Sequence, residues 1–430
     1  MRCRNRKPLI VRGARQVGKT WVIEHFGASE FDDVAKVDFE KRPGAAAAFA
    51  GDLSPGGILE QLEVLIGRRI RPGKTLLFLD EIQACPRAVT ALRYFYEETP
   101  DLHVIAAGSL LEFALSEISV PVGRLTYLEM YPMTFWEYLM AMGNEPAAAA
   151  IARVPTVLPE PTHRVLLDAL KRYFFVGGLP ECVRIVADGG SLLDVFAEQD
   201  DILKTYRDDF GKYAGRADKT CLDAVMVHIA RQVGQQIKYS RLDDAHTSQT
   251  NRKAFELLCM ARLVHKIPSA RPVGLPLGAA SNEKRFKAAF LDIGLMQRLC
   301  GLPVDREMQH RDLLDVYRGQ LAEQFVAQEL VAAHRGELFY WSREARGSRA
   351  EVDFLVVQDG RIHPVEVKSG RGGQLRSLHL ALRTYPTCGD GWVLYGGVHA
   401  RRPEQRLVFL PLYYAGALGP QSVPEEGGPA

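Results

Sequence analysis

The run Gly13-Ala14-Arg15-Gln16-Val17-Gly18-Lys19-Thr20 constrains this chain more than any other stretch. It matches G-x-x-x-x-G-K-[ST] without a gap, between an apolar run over residues 7 to 12 that reads as a buried strand and a following segment that reads as helix. Glycines at those positions let backbone N–H groups curl around phosphate oxygens, and the positive end of the helix dipole points at the same charge. Lys19 is then placed for the β and γ phosphates and Thr20 for Mg²⁺, with residues Gly13 to Trp21 as the expected contacts of a bound nucleotide. The alternative, a glycine turn with an exposed lysine, does not require the strand and helix flanks.

A second element agrees with the first. Thr75-Leu76-Leu77-Phe78-Leu79 reads as a central parallel strand and ends in Asp80-Glu81. Asp80 is expected to hold Mg²⁺ through water and Glu81 to polarise an attacking water, which favours ATP hydrolysis over transfer to a bound alcohol. Read alone, the same pair is a solvated acidic loop. His103 to Ala107 is a further buried strand closing in Gly108-Ser109. Ser109 is either a γ-phosphate sensor or the cap of the next helix. Arg124 is either an arginine finger, in cis or toward a neighbouring subunit of a homo-oligomer, or an ordinary surface arginine.

At 430 residues the chain is long enough for two or three domains, and 47% hydrophobic with 25% charged residues is a soluble globular composition. The formal charge of +2 means that any basic surface is local. Seven cysteines lie without C-x-x-C pairs or metal-ligand spacing, as expected of reduced thiols in the cytoplasm. The basic N-terminus leads into the glycine loop, unlike a secretory signal, and no apolar run is long enough to span a bilayer, so no membrane association is expected.

The segments GARQVGKT, LLFLDEIQ, AAGSLL, GRLTYLEMYPMTFWEYL and YFFVGGLPE together resemble the bacterial and archaeal AAA-type ATPases fused to a conserved C-terminal domain of unknown function. The resemblance spans nearly the whole chain. One departure is that the first strand starts by Lys7, with no helical stretch before it. The Gly177-Gly178-Leu179-Pro180 turn is similar to the lid motif of signal-transducing P-loop ATPases, which implies a nucleotide contact for Pro180. Read from the residues alone it is a helix stop.

Five segments are expected: an AAA-type core over 1–142, a helical lid or linker over 143–215, a winged-helix-like part over 216–310, a restriction-endonuclease-like α/β part over 311–414 and a disordered tail over 415–430. Residues 143 to 162, with an alanine run and several prolines, read as linker or loosely packed insertion. In the winged-helix segment the stripes Val225, Ile229, Val233 and Phe255, Leu258, Cys259, Leu263 mark helices. Arg252 and Lys253 suit either a DNA groove or a protein-contact lid.

From Tyr317 the pattern is an amphipathic helix with Glu323 on its more polar side, then strands, a helix near Gly373 and a strand at Gly391 to Tyr395, in the order α-β-β-β-α-β. Asp353 and Glu366 are expected to bind Mg²⁺, with Lys368 on the same strand face as Glu366 and Glu323 completing the set. Alternation alone also produces an exposed E-x-K face. Val352 stands where a proline often precedes the aspartate in this fold. Arg343, Arg346 and Arg349 are placed either to meet phosphates or to line a solvated loop.

The expectation is therefore an ATP-hydrolysing protein coupled to a nuclease-like part acting on DNA or RNA. The alternative is an ATP-dependent switch or scaffold with no nuclease activity. A P-loop kinase is a distant third.

Overall fold

The computed structural model describes residues 6–109, 111–115, 123–152, 154–213, 218–301, 314–345, 348–368 and 375–419. Arg346 lies outside them. The chain gathers into two compact units: Met1–Tyr131 with Met260–Arg262, and Pro132–Cys259 with Leu263–Ala430.

The first unit alternates strands and helices: β1 (Leu9–Arg12), α1 (Lys19–Glu30), β2 (Asp33–Asp38), α2 (Pro55–Ile66), β3 (Thr75–Asp80), α3 (Pro86–Glu98), β4 (His103–Gly108), α4 (Leu111–Leu115) and β5 (Thr126–Glu129). All five strands are parallel, in the order β2-β3-β4-β1-β5. A parallel sheet survives only when both faces are covered, which is why β3 is buried at every position. Ile10, Leu77, Leu79 and Ala106 pack with Ile58, Leu62, Leu92 and Phe95 of α2 and α3. Val11, Phe78, Ile105 and Ala107 pack with Ile23 of α1 on the other face. The parallel direction brings the carboxyl ends of all strands to one edge, where ligands of open α/β sheets bind.

The second unit begins with helices α5 (Phe135–Ala141), α6 (Glu145–Ile151), α7 (Glu160–Val176), α8 (Pro180–Ala187), α9 (Leu192–Asp209), α10 (Lys219–Arg231) and α11 (Ser248–Met260). It continues as β6 (Val264–Ala270), β7 (Ser281–Phe290), α12 (Ile293–Cys300), α13 (Leu314–Ala333), β8 (Phe339–Ala345), β9 (Ser348–Gln358), β10 (Arg361–Lys368), α14 (Arg376–Thr384), β11 (Gly391–Tyr395), β12 (Ala400–Arg402) and β13 (Leu407–Pro411). The sheet has eight strands in the order β12-β13-β11-β10-β9-β8-β6-β7. Thus the β6-β7 hairpin, which the sequence assigns to a segment of its own, is part of the same sheet as β8 to β11. The order α13-β8-β9-β10-α14-β11 matches the elements expected, and β10 and β11 pair in parallel across the α14 crossover.

Three local expectations are corrected. The segment 143–162 contains α6, capped by the Asn144 side chain, and buries Ala147, Ala148 and Ile151, because its alanines pack closely and its proline falls in the first helical turn. The tail does not start at Ala415: a 3-10 turn over Leu412–Leu418 buries Tyr413, Tyr414, Ala415 and Leu418, and residues 420–430 lie outside the described residues. From Leu321 to Val331, α13 is buried or half-buried around its whole circumference and is not amphipathic. Its buried glutamines serve main-chain groups that would otherwise lack partners, Gln324 at both N–H and C=O of Phe290 and Gln328 at the N–H of Ile293.

The glycine pair before Pro180 has a packing reason. Asp292, fully buried, accepts from the N–H of Gly178 at 2.6 Å and of Leu295 at 3.0 Å, and burial pushes its pKa up to about 6. Gly177 has φ of +72°, and a Cβ there would lie 2.2 Å from Asp292 Oδ1. At Gly178 a Cβ would lie 2.1 Å from the main-chain oxygen of Met133, which cannot yield as a side chain does. Replacing Gly178 by alanine is therefore expected to lower stability by on the order of 3 kcal/mol, read as a shift of the urea midpoint with unchanged slope.

Candidate functional site

The first site stands at the carboxyl edge of the parallel sheet. Arg12 ends β1 and Gly13 turns the chain so tightly that a Cβ on it would lie 2.3 Å from the carbonyl oxygen of Met130. Gly18 takes φ of +89°, a region costly for residues bearing a Cβ, and α1 starts at Lys19. Ala14 and Val17 are buried in the loop wall, with Arg15 and Gln16 between them. Arg15 lies 3.5 Å from Glu40. Trp21, by contrast, is 66% exposed and stacks on His25 one helical turn later.

Lys19 is buried and donates to the main-chain oxygens of Gly13 at 3.0 Å and Ala14 at 2.7 Å. Burial lowers its pKa to about 8, against the opposing pull of Glu81 and Asp80. Thr20 Oγ1 lies 3.1 Å from Asp80 Oδ2, so the two residues expected to share a magnesium ion do meet. Asp80, 3% exposed, also pairs with Lys36 of β2 at 3.1 Å. Its pKa is raised, because burial outweighs the Lys36 ammonium. A hydroxyl and an acid oxygen this close are the donor types a hard, partly hydrated cation takes, so the pair fits Mg²⁺.

Glu81 adopts left-handed backbone (φ +49°), which costs a residue with a Cβ about 1–2 kcal/mol. Gln83 Nε2 donates to Glu81 Oε2 at 2.5 Å and Ser109 Oγ to the same oxygen at 3.4 Å. Ser109 thus faces the acid expected to act on water.

Arg124 is not brought to this edge. It pairs with Glu97 near the end of α3 at 2.8 Å, two residues before Thr126, whose N–H donates to Pro8 O at the amino end of the sheet. A sequence can show an arginine but not the sheet end to which it folds. Two other arginines do stand at the loop. Arg12 pairs with Glu129 at 2.5 Å and Glu112 at 3.1 Å, and Arg262 pairs with Glu112 at 2.7 Å and with Glu129. Arg262 has φ of +61° and a buried Nε with no hydrogen-bond partner, and its charge reaches Lys19. Nothing in its neighbours in sequence signals this placement.

Within the second unit, Pro180 opens α8 after the glycines seated on Asp292. Arg252 pairs with Glu256 one turn along α11 at 2.7 Å, and Lys253 beside it is exposed. Arg343 and Arg349 are exposed.

The four residues expected to act together near the end of the chain do converge. Val365 of β10 pairs with Phe354 of β9, one step from Glu366 and Asp353, and Val367 N–H donates to Asp353 Oδ2 at 2.8 Å. Lys368 pairs with Glu366 at 2.6 Å. Glu323 of α13 joins them, and both glutamates have their pKa raised to about 7, first by burial and then by the Asp353 charge. Two members were not foreseen. Glu351, two residues before Asp353 on the same strand face, is the kind of acid alternation can find. Lys287 of β7 is not, since 66 residues separate it from Asp353.

Their donor atoms are largely engaged. Asp353 Oδ1 faces Lys287 at 3.4 Å, Asp353 Oδ2 takes the Val367 N–H, and Glu366 Oε1 takes Lys368. Glu366 Oε2 is buried with no hydrogen-bond partner. A divalent ion requires several oxygens at once and would have to share these with the buried Lys287 ammonium, so this arrangement does not fit Mg²⁺ as it stands.

Residues 5–139 match the family described as AAA domain. Residues 167–306 and 318–415 match two further families, each described as a domain of unknown function (DUF8612 and DUF4143). No curated protein matches the chain. Among solved structures it is similar to the Walker-type ATPase PABY2304 of Pyrococcus abyssi, at 13% identity and a TM-score of 0.41, over 68% of this chain and 91% of that one. It is also similar to the S. cerevisiae Hsp104–ADP complex, at 16% identity and a TM-score of 0.24, over 59% of this chain and 35% of that one. Residues 5–139 thus carry an AAA domain. Among the described residues no helix is long and apolar enough to cross a membrane.

The pKa of Lys19 yields a signed expectation. Above pH 8 its nucleotide-free amine is mostly neutral, and a bound triphosphate favours the ammonium, so binding takes up protons and weakens as pH rises through 8. Calorimetry with ATP at pH 8.5 in two buffers of different ionisation enthalpy should show this uptake in the wild type and not in Lys19→Arg, whose guanidinium stays charged. Equal heats in both buffers for the wild type count against the assignment.

Proposed function

We propose that the chain hydrolyses ATP in its first unit and uses the nucleotide state as a switch for the second. The observation that carries this reading is the 3.1 Å approach of Thr20 Oγ1 to Asp80, beside a loop lysine held only by the loop's own carbonyls. Those carbonyl bonds are exchangeable for phosphate oxygens, and the loop's N–H groups surround the same charge. Mg²⁺ held by Thr20 and Asp80 would offset the charge of the β and γ phosphates.

Glu81 is the base. It sits in left-handed backbone directly after β3, and Gln83 and Ser109 restrain one of its oxygens. Water attacks the γ phosphorus, the bond to the β–γ bridging oxygen breaks, ADP leaves, and the water's proton passes to the Glu81 carboxylate. The Arg262 charge reaches Lys19 at the loop, while Arg12 and Arg262 are both paired with Glu112 and Glu129. The place of Arg124 at the far end of the sheet leaves it a finger role only toward a neighbouring copy, in a homo-oligomer.

For the second unit, the convergence of Asp353, Glu366, Lys368 and Glu323 supports a restriction-endonuclease-like fold. Cleavage of DNA or RNA by that fold would need a metal. The engaged oxygens of Asp353 instead favour the switch or scaffold reading, with the winged-helix-like segment around Arg252 and Lys253 as a contact surface.

Two measurements test this. Glu81→Gln is expected to keep ATP binding and lose turnover by about 10²–10⁴-fold, while Lys19→Ala loses both. Retained turnover in Glu81→Gln removes it as the base. Incubated with Mg²⁺ or Mn²⁺ and single-stranded DNA, duplex DNA or RNA, neither the wild type nor Asp353→Ala is expected to cut. Cleavage by the wild type that disappears in Asp353→Ala would establish the nuclease reading instead.

A further inference from the structure

Lys287 is 1% exposed, a burial an ammonium tolerates only when it is paired. Its Nζ lies 2.6 Å from Glu351 Oε1, 2.9 Å from Glu323 Oε1 and 3.4 Å from Asp353 Oδ1, and 5.3 Å from the ring centroid of Tyr340. It therefore stands among acids from two elements, Glu323 of α13 and both ends of the Glu351-Val352-Asp353 stretch of β9, and is itself delivered by a third, β7. The backbone of Gly234 closes one side: a Cβ there would lie 2.3 Å from Glu323 Oε2.

We infer that the Lys287 ammonium is the resident cation of this acid cluster, holding the carboxylates together without a metal and occupying the space that a divalent ion would need. Three arguments support it. The ammonium and a divalent ion compete for the same oxygens, and a mutual approach of two cations in a buried site is strongly unfavourable. Both acid oxygens of Asp353 already have a partner, Lys287 on one and the Val367 N–H on the other. Three carboxylate oxygens lie within 3.4 Å of Lys287 Nζ, the pairing that lets a buried amine remain an ammonium.

The orphaned Glu366 Oε2 gives the inference its sharpest consequence. It is a buried acid oxygen with no hydrogen-bond partner, so a cation admitted to the cluster would find it available. Removing the lysine should convert the cluster into a divalent-cation site. This does not depend on the nucleotide reading, and it can be tested without nucleotide.

Full-length wild type, Lys287→Met and Lys287→Met/Glu366→Gln are titrated with Mn²⁺, bound ion being counted by electron paramagnetic resonance and thermal midpoints recorded with and without the ion. The wild type is expected to hold no Mn²⁺ that depends on Glu366. Lys287→Met should gain an ion per chain, bound at least about tenfold more tightly than by the wild type, equivalent to about 1.4 kcal/mol. Its thermal midpoint should rise with Mn²⁺, and both effects should vanish in the double variant. Two results overturn the inference: Mn²⁺ bound by the wild type and released by Glu366→Gln alone, or a folded Lys287→Met that binds no more tightly than the wild type. Should Lys287→Met fail to fold even with Mn²⁺, the wild type against Glu366→Gln decides by itself, together with Lys287→Arg, which keeps the charge and should fold without the ion.

Discussion

Buried charge has to be compensated where it lies, and both sites of this protein are arranged around that requirement. In the first unit Lys19 is taken from water and donates to two carbonyls of its own loop, while Asp80 is balanced by Lys36 and the Thr20 hydroxyl. The loop carbonyls and the Thr20 hydroxyl are neutral partners, which a magnesium-bound triphosphate would replace with charge. The site is thus preorganised but not saturated, which is the condition for ligand exchange.

The acid cluster of the second unit solves the same problem with a different result. There the compensating ammonium, on β7, is buried and lies within 3.4 Å of three carboxylates, where Lys36 is partly exposed and meets Asp80 from β2. No exchange is needed to keep the acids together. Residues that in sequence read as metal ligands can thus gather around an ammonium of the protein itself, and a motif of acids and a lysine is not evidence of metal chemistry until the neighbouring charges are known.

How far the chain could be read follows from how local each signal is. The loop Gly13 to Thr20, the strand ending at Asp80 and the strand His103–Gly108 carry their information in consecutive residues, and each lies where periodicity and glycine placement put it. The helices and strands from α13 to β11 were legible for the same reason, and so was the convergence of Asp353 and Glu366, because alternation on two neighbouring strands repeats a short rule. Lys36, Arg262, Glu351 and Lys287 were not found. For Lys36, Arg262 and Lys287, partners lie on other strands or on stretches remote in sequence, joined by contacts that leave no pattern. The alanine run around α6 misled for the opposite reason, since small residues look like linker until a surface is found for them to pack on.

By itself the sequence determined a phosphate-binding loop between strand and helix, because the steric freedom of glycine and the dipole of a helix start act within a few residues. It also determined which acids share a strand face. Only the tertiary structure decided which cations those acids meet: it carried Arg124 to the far end of the sheet, brought Arg262 to the loop and placed Lys287 among the acids. Coulomb interactions depend on distance in space, and the distance between residues remote in the chain exists only after the sheets have formed.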